Sequence, residues 1–141
     1  MKKLVPNIIT PEEADILARL AKEEKRKDPI LPSSIIREIK DVINSEVKAS
    51  WESPAYFRLE NLGRAHDWHL DTGSKKHMLW CKYGCSILLK NNKEAGYLEY
   101  RDGTKILPDE HYCSLAIHSS DEEHRTVHQP FGRVAFLAFL K

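Results

Sequence analysis

Residues 78–89 read MLWCKYGCSILL, a long and mostly apolar run that ends in the turn-forming stretch KNNKEAG at residues 90–96. An apolar segment that is bounded by turn residues predicts a strand buried in the interior of a sheet. We therefore expect residues 78–89 to form the long central strand of a β-rich core, with neighbouring strands on both sides along the chain.

Short segments with the composition of strands occupy the chain from residue 55 onward, separated by turn signals. Together with the central run they predict roughly seven strands, at the spacing that is typical of barrels and sandwiches. The other predicted strands are Tyr56–Leu59, Ala65–Leu70, Tyr97–Tyr100, Lys105–Leu107, Tyr112–Ile117 and Val134–Leu140.

The first third of the chain predicts two helices instead of strands. Thr10 can cap the first helix, Pro11 suits its first helical position, and Glu13 completes a capping box. Ser33 or Ser34 is the predicted cap of the second helix, in which apolar residues recur with helical spacing. We expect both helices to pack on the outside of one sheet.

The length of 141 residues fits a single domain over residues 1–141. No linker separates the helical support, at about residues 8–50, from the strand-rich core at about residues 55–140. The predicted fold class is therefore mainly β with two supporting N-terminal α-helices.

The composition argues against a nucleic-acid or membrane surface. Twenty-two basic residues nearly cancel 21 acidic ones, which leaves a net charge of +1. No apolar run approaches the roughly 20 residues that cross a bilayer, and the lysines at the N-terminus are not followed by the apolar stretch of a signal peptide. Three cysteines cannot all pair within one chain. We therefore expect a cytoplasmic, intracellular protein in a reducing compartment.

A candidate metal site begins at His69-Leu70-Asp71. Residues two apart on a strand point to the same face, so His69 and Asp71 can bind one ion from one side while Leu70 turns away. An imidazole together with a carboxylate suits a divalent metal of intermediate softness. A His-x-Asp pair alone is weak, because such pairs occur by chance in a chain with seven histidines.

A remote histidine would complete the site. His124 follows the acidic turn Asp121-Glu122-Glu123, and it would give two histidines and one carboxylate on one face of the metal. This arrangement leaves open the coordination positions that oxygen chemistry on Fe(II) requires. His118 and His128 are the alternatives to His124 as the remote ligand.

Arg133 stands at the start of the apolar segment that runs to the C-terminus. A guanidinium that projects into a barrel interior must meet an anion, since burying it alone is costly. A dicarboxylate bound to the metal at one end would present its other carboxylate to such an arginine. The alternative is an Arg133 that lies exposed at a strand edge and pairs with Glu99 or Asp102.

Several motifs in this order resemble the Fe(II)/2-oxoglutarate-dependent dioxygenase superfamily, and within it the compact prolyl 4-hydroxylase-like branch. They are the segment GRAHDWHLDTG at 63–73, the strand GCSILL at 84–89, Gly96-Tyr97-Leu98, and the block from His124 to Arg133. The resemblance covers roughly residues 55–140, and its order and spacing are more specific than any one of its parts.

The resemblance implies a double-stranded β-helix, or jelly-roll, with His69, Asp71 and His124 as iron ligands. It implies that Arg133 binds the distal carboxylate of 2-oxoglutarate, and it makes Tyr83, on the central strand, a candidate for a second cosubstrate contact. The implied cofactor set is Fe(II), 2-oxoglutarate and O2, with ascorbate as a candidate reductant.

The implied reaction is hydroxylation of an unactivated C–H bond. A prolyl residue in a peptide or protein is the substrate that the family suggests, and a free amino acid or small metabolite is the alternative. A non-catalytic jelly-roll that binds metal for sensing or scaffolding is the rival class. Nucleic-acid demethylases of the superfamily usually carry a second arginine well beyond the first, and none follows Arg133 here.

Overall fold

The structure is a computed structural model that describes residues 1–24, 32–48, 56–62, 66–72, 78–92, 96–127 and 133–141. These residues form nine strands and three helices in a mainly β arrangement. In chain order they are β1 (Lys2–Val5), α1 (Pro11–Glu24), α2 (Ser33–Glu46), β2 (Tyr56–Leu62), β3 (His66–His69), β4 (Tyr83–Leu88), β5 (Leu98–Tyr100), β6 (Lys105–Ile106), α3 (Pro108–His111), β7 (Leu115–Ser119), β8 (His124–Thr126) and β9 (Arg133–Leu140).

The strands form two antiparallel sheets. The larger sheet has five strands in the order β1-β7-β4-β9-β2, and the smaller has four in the order β3-β8-β5-β6. Strands that are distant in sequence are neighbours in both sheets, so the fold depends on long-range pairing. The central run predicted from sequence supplies β4, which lies in the middle of the larger sheet between β7 and β9.

Side chains of the larger sheet alternate between two environments, as the period of a strand requires. Residues of one face pack with the helices in the main core, and examples are Ile87, Leu115 and Phe136. Residues of the other face point toward the smaller sheet. Ala116 on β7 contacts a second apolar cluster there, with Leu98 of β5 as one of its members.

The two helices pack on the outer face of the larger sheet, as the sequence predicts. Buried residues of α1 and α2 belong to the same core cluster as those of β4, β7 and β9. The capping box of α1 is formed as predicted, because the Thr10 amide donates to Glu13 Oε1 at 3.0 Å and the Glu13 amide donates to Thr10 Oγ1 at 3.1 Å. The predicted cap of α2 is wrong: Pro32 occupies the N-cap position and Ser33 is already helical.

Several strands differ from the sequence prediction in their boundaries or were not predicted. The central strand begins only at Tyr83, since residues 78–80 form a turn. The strand predicted from Tyr112 begins at Leu115, because Cys113 adopts a left-handed backbone with φ of 61°. The strand β1, which the sequence does not suggest, pairs with β7 along the edge of the larger sheet.

Cys81, Cys85 and Cys113 are buried free thiols. None of the helices in the described residues has the length and apolar composition needed to span a membrane.

Candidate metal centre

A cavity of about 80 Å³ lies between the two sheets. One water molecule takes about 10–15 Å³ of such volume, so the cavity has room for a small ligand or several waters. Polar and charged groups line it together with apolar side chains, and its lining includes His69, Asp71, Gly84, Leu98, His118, His124, Thr126, Arg133, Leu137 and Phe139.

His69, Asp71 and His124 meet in this cavity. One candidate ligand atom from each lies within 4.8 Å of those of the other two. The smaller sheet explains the meeting of the two histidines, because His69 of β3 and His124 of β8 are register partners with ring centroids 4.4 Å apart. Asp71 lies two residues beyond the end of β3, where the chain turns, and it is 6% exposed.

Backbone carbonyls fix the tautomers of both histidines. His69 Nδ1 donates to the carbonyl oxygen of Asp67 at 2.6 Å, and His124 Nδ1 donates to that of Glu122 at 2.8 Å. A carbonyl can only accept, so Nδ1 of each ring carries a proton, and the lone pair of Nε2 is available to a metal whenever the ring is neutral. An imidazole held in this way through its other nitrogen is the usual arrangement of a metal ligand.

Asp71 is held ionised in spite of its burial. Burial by itself would raise the pKa of the Asp71 carboxyl, but hydrogen bonds and charge interactions with His118 and His124 together hold that pKa well below its usual range. The carboxylate uses both oxygens, since Oδ2 lies 2.7 Å from His118 Nε2 and Oδ1 lies 3.3 Å from His124 Nε2. A buried anion surrounded by imidazoles is a donor set that suits a divalent cation.

His118, weighed above as an alternative ligand, lies beside the three-residue group without being a member of it. It projects from β7, and its second nitrogen, Nδ1, is 2.8 Å from the hydroxyl of Tyr100. Burial lowers the pKa of His118 more than Asp71 raises it, whereas for His124 the interactions with Asp71 and Glu122 outweigh burial and raise the pKa. His128, the other alternative, lies outside the described residues.

Arg133 opens β9 and is only 5% exposed, and it lines the same cavity as the candidate ligands. The alternative interpretation, in which Arg133 lies exposed at a strand edge, is therefore wrong. The two acids considered as its partners pair with other residues, Glu99 with Arg125 and Asp102 with Lys2.

The guanidinium of Arg133 approaches a neutral histidine. Arg133 Nη2 lies 3.4 Å from His111 Nδ1, and His111 Nε2 donates to the carbonyl oxygen of Ser86 at 3.2 Å. Burial, followed by the charge of Arg133, lowers the pKa of His111 to about 3. Because His111 stays uncharged near neutral pH, it does not cancel the positive charge of Arg133.

Tyr83, the candidate for a second cosubstrate contact, packs against the helix-facing core. The residue of β4 that faces the candidate ligands is Gly84. A Cβ atom on Gly84 would lie 1.9 Å from Asp71 Oδ2 and 2.8 Å from His118 Nε2. The structure therefore brings His69, Asp71, His124 and Arg133 to one cavity and places Tyr83 on the opposite face of its strand.

Sequence reasoning missed three residues of the site. Tyr100 contacts His118, Gly84 packs against Asp71, and His111 contacts Arg133. A glycine within a buried strand is a recognised sign of close approach, so Gly84 carried a usable signal. Nothing local marks Tyr100 or His111, because their partners are distant in sequence.

Comparison with solved structures shows that the chain has a known fold. A prolyl-4-hydroxylase from Pseudomonas putida is 13% identical with a TM-score of 0.69, over 99% of this chain and 84% of that one. An oxidoreductase of the 2OG-Fe(II) oxygenase family from Burkholderia pseudomallei is 12% identical with a TM-score of 0.66, over 99% and 84%. The chain has the fold of these oxygenases.

HygX from Streptomyces hygroscopicus, solved with nickel and 2-oxoglutarate bound, shares the fold at 12% identity with a TM-score of 0.61, over 99% of this chain and 81% of that one. No protein-family model matches the sequence, and no curated protein matches it. The similarity to the three solved structures confirms, at the level of the fold, the resemblance inferred from sequence motifs.

Proposed function

We propose that this protein is an Fe(II)/2-oxoglutarate-dependent dioxygenase, built on a double-stranded β-helix, that hydroxylates an unactivated C–H bond. The observation that carries the proposal is the convergence of His69, Asp71 and His124 within 4.8 Å of one another in a cavity that Arg133 also lines. The shared fold with 2OG-Fe(II) oxygenases supports it independently of that geometry.

His69 and His124 would bind the metal through Nε2, and Asp71 would bind it through a carboxylate oxygen. Two neutral nitrogens and one anionic oxygen leave positions on Fe(II) for a chelating cosubstrate and for O2. The carbonyl partners of the two histidines would keep both rings in the metal-binding tautomer before the ion arrives.

Arg133 would bind the distal carboxylate of 2-oxoglutarate through its planar guanidinium. A planar guanidinium can pair with a carboxylate through two parallel hydrogen bonds, which makes such a pairing strong. His111 would orient Arg133 by accepting from Nη2, as it does in the structure. Leu98, Leu137 and Phe139 line the cavity and would exclude water from the bound cosubstrate.

Bound Fe(II) and 2-oxoglutarate would supply oxygen activation, in which decarboxylation to succinate and CO2 is coupled to hydroxylation of the substrate. Ascorbate is a candidate reductant that would keep the metal in the Fe(II) state. The chain itself would orient the cosubstrate and shield the reacting centre.

The substrate we propose is a prolyl residue in a peptide or protein, with a free amino acid or small metabolite as the alternative. The prolyl proposal is supported by a fold shared with the prolyl-4-hydroxylase from Pseudomonas putida. The near-neutral charge of the chain favours either of these over a nucleic acid.

The test is a screen for succinate formation by anaerobically loaded protein that is then exposed to air, with prolyl peptides and free amino acids as separate substrate sets. Succinate that depends on Fe(II), 2-oxoglutarate and one substrate set, and that is absent with Asp71→Ala, is the expected result. Stoichiometric Fe(II) binding without succinate in any set would instead favour the non-catalytic metal-binding module.

A further inference from the structure

Asp71 is held between two histidines that approach different oxygens. His124 Nε2 lies 3.3 Å from Oδ1, and His118 Nε2 lies 2.7 Å from Oδ2. Only His124 belongs to the candidate ligand group. His118 is 4% exposed and Asp71 is 6% exposed, so water cannot readily substitute for either partner of the shorter hydrogen bond.

The direction of this hydrogen bond follows from its partners. An ionised carboxylate only accepts, so His118 Nε2 carries a proton and donates it to Oδ2. The neutral ring then accepts at Nδ1, where the hydroxyl of Tyr100 lies 2.8 Å away and donates. Tyr100 is itself 1% exposed, so its ring is held by the core around it. Both nitrogens of His118 are thereby in use.

The strand β4 closes the remaining space around the pair. Gly84 is the register partner of His118 in the larger sheet, and it has no side chain on the face that meets Asp71. A Cβ at this position would lie 1.9 Å from Asp71 Oδ2. The glycine backbone therefore packs directly against the hydrogen-bonded oxygen and leaves it no room to shift toward β4.

We propose that the hydrogen-bond chain from Tyr100 through His118 to Asp71 Oδ2 is the positioning device of the metal site. It rests on the proposed function, because it requires Asp71 to be a metal ligand. This hydrogen-bond chain would hold Oδ2 away from the metal ion and present Oδ1 to it. Asp71 would then occupy a single coordination position. His118 is a positioning residue and not a ligand, since the nitrogen nearest the site carries the donated proton.

A monodentate Asp71 matters for the chemistry of the site. A carboxylate that bound through both oxygens would take one of the positions needed by 2-oxoglutarate or by O2. Hydrogen-bonding partners of metal ligands typically change metal affinity by about 10–100-fold when they are removed. This sets the size of the effect expected for His118.

The experiment is an anaerobic Fe(II) titration, together with Co(II) absorption spectra, on the wild-type protein and five variants, one of which, His69→Ala, is the reference for loss of a ligand. His118→Leu should weaken Fe(II) binding by about 10–100-fold. His118→Gln, whose amide nitrogen can donate to Oδ2, should restore most of the affinity. Tyr100→Phe should give an intermediate loss, and Tyr97→Phe is the matched control that should bind Fe(II) like the wild type.

The Co(II) spectrum separates positioning from ligation. His118→Leu should keep the Co(II) spectrum of the wild type, because its metal ligands are unchanged. His69→Ala should change the spectrum, because one ligand is lost. A His118→Leu variant that binds Fe(II) as tightly as the wild type would overturn the inference. The inference would also be overturned if His118→Leu lost as much Fe(II) affinity as His69→Ala and showed the same change in its Co(II) spectrum. His118 would then be a ligand.

Three further outcomes separate the positioning role from the proposed function. If His118→Leu does not fold, the comparison of Tyr100→Phe with Tyr97→Phe decides, and equal Fe(II) affinities overturn the inference. A wild-type protein that binds neither Fe(II) nor Co(II) overturns the proposed function as well. Tight metal binding with unaffected variants overturns the positioning role alone.

Discussion

Asp71 links the two sheets through its side chain. It follows β3 of the smaller sheet, and its carboxylate contacts His118 of the larger sheet. Asp71→Ala should weaken Fe(II) binding by more than about 100-fold, since it removes the anionic ligand and not merely its support. Anaerobic titration measures this. Asp109→Ala, at an exposed position on α3, is the control. Equal Fe(II) affinity in Asp71→Ala and the wild type would show that Asp71 is not a ligand.

Arg133 should determine affinity for the cosubstrate and not for the metal. Arg133→Lys keeps the charge but loses the two-pronged geometry, so the KM for 2-oxoglutarate should rise by about tenfold with little change in Fe(II) affinity. Arg125→Lys, at an arginine that pairs with Glu99, is the matched control. An unchanged KM in Arg133→Lys would remove Arg133 from the cosubstrate site.

The sequence could predict which residues share the cavity where this follows from local spacing. His69 and Asp71 are separated by one residue and both line the cavity, although Asp71 lies in the turn after β3 and not on the strand itself. His124 and Arg133 followed from their order in a motif. The contacts of Tyr100, His118 and His111 could not be predicted, because each depends on how distant strands are paired.

At the scale of elements, the register of β4 determines which residue meets the site. Gly84→Ala should lower Fe(II) affinity by about tenfold or more, because the added Cβ would displace the Asp71 carboxylate. Tyr83→Phe changes the opposite face and should leave both Fe(II) affinity and the KM for 2-oxoglutarate unchanged. A raised KM in Tyr83→Phe would contradict the assigned register.

The helix α1 contributes to stability through its capping box. Thr10→Ala should reduce the free energy of unfolding by about 1 kcal/mol, because it removes the acceptor of the Glu13 amide. Ser33→Ala is the control, since no side-chain hydrogen bond caps α2. Denaturant unfolding measures both. Equal losses in the two variants would mean that the box does not stabilise α1.

Elements were predictable where the local pattern was strong. The capping box located α1 within one residue, and the apolar runs located β4 and β9. The strands β1 and β8 were missed because they are short, at Lys2–Val5 and His124–Thr126, and carry few apolar residues. β1 is a strand because it pairs with β7, and β8 is a strand because it pairs with β3 and β5. Local sequence preference does not determine either strand.

The stability of the whole molecule should fall in mild acid because of His111. Its pKa is about 3 in the folded protein against 6.5 ordinarily, so below pH 6.5 the unfolded chain takes up a proton that the folded protein does not. Stability is full above pH 6.5 and declines as the pH falls toward 3. Between pH 6.5 and 5 this costs about 2 kcal/mol.

Denaturant unfolding of the metal-free protein at these two pH values checks the contribution of His111. His111→Gln, which cannot be protonated there, should lose about 2 kcal/mol less than the wild type over the same interval. Other titrating groups cancel in the comparison of the two proteins. Parallel losses would mean that His111 is readily protonated in the folded state.

In the molecule as a whole, the candidate metal ligands lie on the smaller sheet and in the turn after β3. Arg133, Gly84 and His118 lie on the larger sheet. A site assembled from both sheets should require both for binding of the cosubstrate. The most direct measurement is calorimetric titration of 2-oxoglutarate into anaerobic protein, with and without Fe(II), for the wild type and Asp71→Ala. We predict binding by the wild type only when Fe(II) is present, and none by Asp71→Ala. Binding that is independent of both Fe(II) and Asp71, or no binding at all, would contradict an Fe(II)/2-oxoglutarate centre.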